Sequence, residues 1–182
     1  MATTEQEPRS QRDIGGYGLM TYRQAGGDET VRFEAILTRN GDRIATVANG
    51  GTGGCHDYRP VGEDYAAYRA AMSDLAAFAT AWNADSEYAG HDDTDAFVDH
   101  LCAIAELNRM RSVVVLLDDD DYFDVGTYRP VPFRGSPEAA RAAVLRDLAG
   151  PAYVTRNPRV WNRATSRFEP VAQTSTEGGE RD

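Results

Sequence analysis

The sequence predicts an α+β domain, built as an antiparallel sheet of two hairpins with about three helices packed on one side. Two patterns lead to this prediction. Apolar residues alternate with polar ones in the strand segments, and they recur at three- and four-residue intervals in the helical segments. We expect one folded domain over residues 14–171, with flexible polar tails at residues 1–13 and 172–182.

The first hairpin has the clearest pattern. From Thr30 to Asn40 apolar and polar residues alternate, so this strand should bury one face. Asn40 and Gly41 then supply the two positive-φ residues of a type I′ turn. The turn predicts three cross-strand pairs, namely Leu37 with Ile44, Ala35 with Thr46, and Phe33 with Ala48. A preceding strand is expected at about residues 17–23.

Three helices are expected after this hairpin. Apolar side chains recur at helical spacing over about residues 63–83, and again over about residues 93–107. A third helix should begin at Ser136, an N-cap residue followed by Pro137 in the first turn, and Gly150 should end it.

A second hairpin is expected between the second and third helices. Residues 112–118 are mostly valine and leucine, which favours a strand. An acidic turn at residues 119–121 should separate this strand from an antiparallel partner at about residues 122–131. Residues 152–171 are ambiguous, and we favour an edge strand there.

The net charge and the absence of lysine argue against several classes of function. The chain has 29 acidic and 19 basic residues, a net charge of −10, which disfavours nonspecific binding to nucleic acid or anionic lipid. All 19 basic residues are arginine. Without lysine there can be no Schiff base, no pyridoxal phosphate attachment and no Walker-type phosphate loop. We expect no cofactor.

The sequence also predicts the compartment. The longest apolar run, residues 113–117, is far too short to cross a bilayer, and residues 1–13 lack the apolar segment of a secretory signal. The two cysteines are too few for a disulfide framework. We therefore expect a cytoplasmic protein with free thiols and no membrane partner.

A glycine-rich loop at residues 49–54 follows the first hairpin and is the most distinctive feature. Its backbone amides could form a nest that binds an anion. The glycine spacing matches neither a dinucleotide-binding nor a Walker-type loop, so the favoured alternative is a structural bend.

Arginines and aromatic residues alternate near the C-terminus. Guanidinium groups bind phosphate through paired N–H groups, and aromatic rings stack on bases, so this segment suits an anionic molecule such as a nucleotide. The alternative is that these arginines pair with the protein's own carboxylates. The predicted ligand-binding residues, taken from both segments, are Asn49, Gly51, Thr52, Gly53, Gly54, Arg156, Arg159, Trp161 and Arg163.

Catalytic and metal sites are less well supported. Cys55, His56 and Asp57 are adjacent in sequence, but neighbours on an extended segment point in opposite directions, so we assign no catalytic residue. A cysteine and histidine pair would need Cys55 with His91 or His100. Helix capping explains the acidic residues at 92–99, and a solvated turn explains those at 118–124, so no metal site is predicted.

The strand at residues 33–37, the turn and the glycine-rich loop resemble a pattern in small uncharacterised bacterial and phage proteins. The acidic helix, the second hairpin and Asn157 with Pro158 follow in the same order. The resemblance implies a phage or mobile-element context and no known activity.

Three hypotheses follow from the sequence. The first is a non-enzymatic binding protein that takes up an anionic small molecule between the glycine-rich loop and the C-terminal arginines. The second is an acidic interaction protein that binds a basic protein partner, as an inhibitor or a nucleic-acid mimic. The third is a cysteine-dependent hydrolase. No direct nucleic-acid binding is expected.

Overall fold

A computed structural model describes residues 13–86, 89–118, 129–131 and 135–172. Within these residues the chain forms two antiparallel sheets of four strands each and three helices. The α+β class is therefore confirmed, although the strands form two sheets where the sequence predicted one. All but one residue of each predicted tail lie outside the described residues.

Backbone contacts separate the chain into two compact units. The first unit is Arg12–Glu106, and the second contains Leu107–Asp182. That residues 14–171 form a single domain stays a prediction. None of the described helices combines the length and the apolar composition needed to cross a bilayer.

The first unit contains one sheet and two helices. Its strands lie in sequence order: β1 (Tyr17–Ala25), β2 (Arg32–Arg39), β3 (Asp42–Asn49) and β4 (Asp57–Pro60). The helices are α1 (Tyr65–Asn83) and α2 (Asp93–Arg109), whose last residues extend into the second unit. Asp64 caps α1, because its carboxylate accepts a hydrogen bond of 2.9 Å from the amide of Ala67. Both predicted helices are thus present within about two residues of their expected bounds.

The predicted register of the first hairpin is wrong by one residue. Asn40 and Gly41 do have positive φ, 52° and 90°, as a type I′ turn requires. A bulge between Leu37 and Thr38 then shifts the pairing. The observed pairs are Leu37 with Ala45, Ala35 with Val47, and Phe33 with Asn49. The shift pairs buried residues with buried residues, because all six of these side chains are inaccessible or nearly so.

Aromatic side chains form the core of the first unit between the sheet and its helices. The ring of Tyr17 on β1 lies 5.2 Å from that of Phe78 on α1 and 5.7 Å from that of Phe97 on α2. Trp82 meets Phe97 edge to face at 5.2 Å. These contacts pack both helices on the sheet face that carries Tyr17.

The second unit contains the other sheet and one helix. The strands are β5 (Val113–Leu116), β6 (Arg129–Val131), β7 (Arg159–Asn162) and β8 (Arg167–Pro170), and the helix is α3 (Pro137–Leu148). The strand order is β6-β5-β7-β8. The central strand β5 is buried along its whole length and contacts α3. Ser136 caps α3 as predicted, accepting a 3.2 Å hydrogen bond from the amide of Ala139.

The sequence predicted an edge strand in residues 152–171 and a return strand in residues 122–131, both in the second unit. The ambiguous segment 152–171 contains two paired strands, of which β8 is the edge strand. The predicted return strand at residues 122–131 is described only over Arg129–Val131, which pairs antiparallel with β5. The acidic turn at residues 119–121 lies outside the described residues.

Candidate functional site

The glycine-rich loop is fastened to the turn that precedes β2. The carbonyl oxygen of Gly51 accepts hydrogen bonds from the amides of residues 28, 29 and 30, at 2.9, 3.0 and 3.3 Å. Gly51 has φ of +79°, and a Cβ added to it would lie 2.8 Å from the Cα of Gly27. Glycine is therefore required here both for backbone conformation and for close approach of two chain segments.

Asn49 organises the loop from its buried position at the end of β3. Its Oδ1 accepts a hydrogen bond of 2.8 Å from the amide of Gly51 and one of 3.3 Å from the hydroxyl of Thr30. Its Nδ2 donates to the carbonyl oxygen of Gly54 and to Nδ1 of His56, each at 3.0 Å. Both ends of the amide are thus used within the loop, and the two backbone partners fix its orientation.

His56 lies between this amide and a carboxylate of α2. Its Nδ1 accepts from Asn49, so the ring proton is on Nε2, which donates to Oδ1 of Asp99 at 3.1 Å. Burial lowers the pKa of His56, but the hydrogen bond and charge of Asp99, with the charge of Asp95, outweigh burial and raise it. The Asn49 amide opposes a second proton at Nδ1. With both ring nitrogens engaged, His56 has no free lone pair to act as a general base.

Asp95 fastens the start of β4 to α2. Its two carboxylate oxygens accept hydrogen bonds from the amide of His56 at 2.8 Å and from the hydroxyl of Tyr58 at 2.7 Å. Burial first, and then the hydrogen bond and charge of Asp95, raise the pKa of Tyr58 far above its ordinary value. Tyr58 therefore stays a neutral donor to this carboxylate.

A cleft of about 640 Å³ opens between the glycine-rich loop, the start of β2 and the first turns of α2. Asp92, immediately before α2, and Asp95 and Asp99, in its first two turns, line the cleft at spacings of three and four residues. Glu29 adds a fourth carboxylate beside the loop, since its Oε2 would lie 2.2 Å from a Cβ added to Gly53. Among the described lining residues, the three aspartates are the acidic groups, and no arginine lies beside them.

The predicted ligand-binding residues fall into two groups. Asn49, Gly53 and Gly54 line the cleft, and Gly51 and Thr52 belong to the same loop without lining it. The four residues predicted from the C-terminal segment belong to the second unit: Arg156, Arg159, Trp161 and Arg163.

The C-terminal residues of that prediction have partners within the second unit. Arg159 forms an ion pair of 3.1 Å with Asp118, as the alternative interpretation expected of these arginines. The carbonyl oxygen of Arg156 accepts a hydrogen bond of 3.0 Å from the amide of Asp118. Trp161 is buried, and its indole N–H donates to Oδ1 of Asn108 at 3.0 Å. Arg163 donates to the carbonyl oxygen of Met110.

Cys55 is exposed and lines the cleft together with His91. His100, the other histidine considered for a catalytic pair, is buried and packs on Trp82 with ring centroids 4.8 Å apart. Among the described residues no hydrogen bond joins Cys55 to an imidazole. In the same part of the chain, no three histidine, cysteine or acidic side chains are placed to hold a metal ion.

Asp93 joins the start of α2 to the end of α1. Its Oδ1 accepts hydrogen bonds from Nδ2 of Asn83 at 2.6 Å and from the amide of Gly90 at 3.0 Å. The hydrogen bond from Asn83, followed by the one from Gly90, lowers the pKa of Asp93 although its burial acts in the opposite direction.

This lowered pKa predicts an acid-dependent loss of stability. Asp93 stabilises the fold above its unfolded pKa of about 3.9, and that contribution disappears as the pH falls through the lower folded value. In Asp93→Asn the Oδ1 acceptor remains but the titration is removed, so stability should fall less steeply below about pH 4. Urea unfolding across the acid range measures this. Asp42→Asn, at the start of β3, is the comparison variant, and equal slopes in both variants would contradict the assignment.

Comparison of the chain with protein-family models, with curated proteins and with solved structures finds no match.

Proposed function

We propose that this chain is a non-enzymatic binding protein whose first unit receives a basic segment of a protein partner in the acidic cleft. The observation that carries the proposal is the alignment of Asp92, Asp95 and Asp99 along one wall of that cleft. Asp95 and Asp99 are held by Tyr58 and His56, so their carboxylates are positioned before any partner arrives.

The size and apolar lining of the cleft suit side chains larger than a single ion. Ligand pockets are roughly 300–1,000 Å³, and this cleft, at about 640 Å³, lies within that range. Val31, which immediately precedes β2 and is 53% exposed, lines the cleft together with Phe33 of β2. The methylene stem of an arginine or lysine could cover these groups while its charged end reaches the carboxylates.

The same geometry disfavours an anion at the glycine-rich loop. The amide of Gly51 already donates to Asn49, so it does not point toward a ligand. The carboxylates of Glu29 and the α2 wall would repel a phosphate. A bend that shapes one side of a cation-binding cleft accounts for the loop better than an anion nest does.

The charge of the whole chain supports the same kind of partner. A net charge of −10 attracts basic surfaces over a distance and accelerates their association at low salt. A cytoplasmic accessory protein of a phage or mobile element, acting as an inhibitor or a nucleic-acid mimic, is the setting that we propose for this binding.

We expect a tri-arginine peptide to bind the first unit's cleft and Asp92→Asn to weaken that binding about threefold to tenfold. Asparagine tolerates the positive φ of 50° at this position, so the change removes charge with little backbone cost. Isothermal titration calorimetry at low and moderate salt measures the affinity.

Two controls distinguish binding in the cleft from nonspecific electrostatic attraction to the acidic protein. Asp42→Asn removes the same charge at the start of β3, outside the cleft lining, and should leave the affinity nearly unchanged. Tri-citrulline has the shape of tri-arginine without its charge and should not bind. Equal weakening by Asp42→Asn and Asp92→Asn, or equal binding of both peptides, would contradict the proposal.

A further inference from the structure

A smaller cleft, of about 230 Å³, lies in the second unit where β5 begins, β7 ends and α3 starts. Three arginines line it: Arg111, Arg141 and Arg163. Only Arg163 belongs to the arginine-rich segment noted in the sequence, because Arg111 precedes β5 and Arg141 lies on α3. The fold therefore brings Arg111 together with arginines that are 30 and 52 positions away along the chain.

Two of these arginines are held in place by neutral acceptors. Nη1 of Arg141 donates to the carbonyl oxygen of Trp161 at 2.9 Å, and Arg163 donates to the carbonyl oxygen of Met110. A guanidinium group has five N–H donors, so each side chain keeps others for a ligand. The carbonyl oxygens orient the side chains without neutralising their charge.

The absence of carboxylate partners distinguishes this cluster from other arginines of the chain. Arg39, Arg59 and Arg159 each form an ion pair of 3.1 Å or less. None of the three cleft arginines forms an ion pair with a residue that the structure describes. In a protein with ten more acidic than basic residues, three arginines in one concavity without such a pair are unexpected.

The lining of the cleft keeps a net positive charge. Glu138 is its one acidic residue among those described, against three arginines, and Glu138 pairs with none of them. Ser112 and Asn162 add polar side chains, and the buried Val113 and Val114 close the floor. A small anion with several oxygen atoms would therefore meet a lining that carries three arginines.

We propose that this cleft binds a phosphoryl group, either as free phosphate or as the phosphate of a small molecule such as a nucleotide. Guanidinium groups match the oxygen spacing of phosphate and form short charge-assisted hydrogen bonds with it. The site shares no residue with the acidic cleft and does not rest on the function proposed there. Trp161 and Arg163 belong to it, whereas Arg156 and Arg159 do not line it.

Calorimetric titration with inorganic phosphate, and separately with AMP, tests this proposal. Arg111→Gln is the variant of choice, because Arg111 is exposed and its side chain makes no hydrogen bond to a described residue, so folding should be unaffected. We expect it to weaken phosphate binding about tenfold. Arg146→Gln removes an exposed arginine from the last turn of α3, outside the cleft, and should leave the affinity unchanged.

The two ligands separate the two sources of the phosphoryl group. AMP binding as tightly as phosphate indicates that the phosphoryl group alone is recognised, and tighter AMP binding indicates a nucleotide. Either result supports the proposed site, provided that Arg111→Gln weakens the binding of the ligand. If the full chain binds neither ligand at millimolar concentration, or if Arg146→Gln weakens binding as much as Arg111→Gln, the proposal is overturned.

Discussion

Replacement of Asn49 by alanine is expected to lower the free energy of unfolding of the first unit by about 2–4 kcal/mol. The change removes four hydrogen bonds at once, those to Gly51, Thr30, Gly54 and His56. The hydrogen bond to Gly51 is buried, so alanine would leave the amide of Gly51 without an acceptor. Chemical unfolding followed by circular dichroism measures the loss.

Thr52→Ala is the matched control for this prediction. Thr52 lies in the same loop, but its side chain is exposed, so its removal should change stability by less than about 0.5 kcal/mol. Asn49→Asp is informative as well, because a carboxylate can accept from Gly51 but cannot donate to Gly54. If Asn49→Ala cost no more than Thr52→Ala, the loop would not depend on Asn49 as we describe.

Gly51→Ala is expected to destabilise the first unit by about 2–4 kcal/mol. The new methyl group would meet backbone, with the Cα of Gly27 at 2.8 Å and the carbonyl oxygen of Thr30 at 3.2 Å, in a conformation with φ of +79° that alanine avoids. Backbone atoms cannot rotate away as a flexible side chain can. The loop would have to separate from the turn before β2 and lose the three hydrogen bonds to the Gly51 carbonyl oxygen.

Gly54→Ala provides the comparison within the same loop. A Cβ at Gly54 would meet nothing within 4 Å, and its φ lies outside the left-handed region. We expect its stability to stay within about 0.5 kcal/mol of the wild type. Thermal or urea unfolding of the two alanine variants distinguishes a specific requirement at Gly51 from a general preference for glycine in the loop. Similar losses of stability in both variants would contradict a specific requirement at Gly51.

Local pattern was sufficient to predict β1, β2, β3, α1 and α2 of the first unit, but the short strand β4 was not predicted. Asn40 and Gly41 predict their turn because few residues adopt positive φ, and helical spacing predicts α1 and α2. The register of β3 was not predictable in the same way. Along β3, Ile44, Thr46 and Ala48 lie on one face, and Ala45 and Val47 lie on the other. Only the bulge decides which face is buried.

The candidate site was only partly predictable, because its function depends on contacts between distant positions. The glycine-rich loop was identified, but its contact with Gly27 joins residues 24 positions apart. The hydrogen bonds from His56 to Asp95 and Asp99 span 39 and 43 positions. The spacing of the acidic residues on α2 was visible in the sequence, yet capping explained it equally well. The presence of carboxylates beside the glycine-rich loop therefore could not be inferred before the fold was known.

The division into two sheets also lay beyond the sequence pattern. Alternation shows that a strand has a buried face but does not say which other strand it joins. β7 pairs with β5 across more than 40 positions, an association that no local signal indicates. The arginine cleft likewise depends on long-range contacts, which bring Arg111, Arg141 and Arg163 together.

Alkylation of Cys55 tests the central claim, that the acidic cleft receives cationic side chains, most directly. Cys55 is exposed in the cleft, whereas Cys102 is buried and burial raises its pKa, so iodoacetamide should modify Cys55 selectively. Intact-mass spectrometry follows the reaction at increasing tri-arginine concentration. We predict that the rate falls in proportion to occupancy, that tri-citrulline has no effect, and that Asp92→Asn requires more peptide. An unchanged alkylation rate at a peptide concentration that saturates calorimetric binding would contradict the claim.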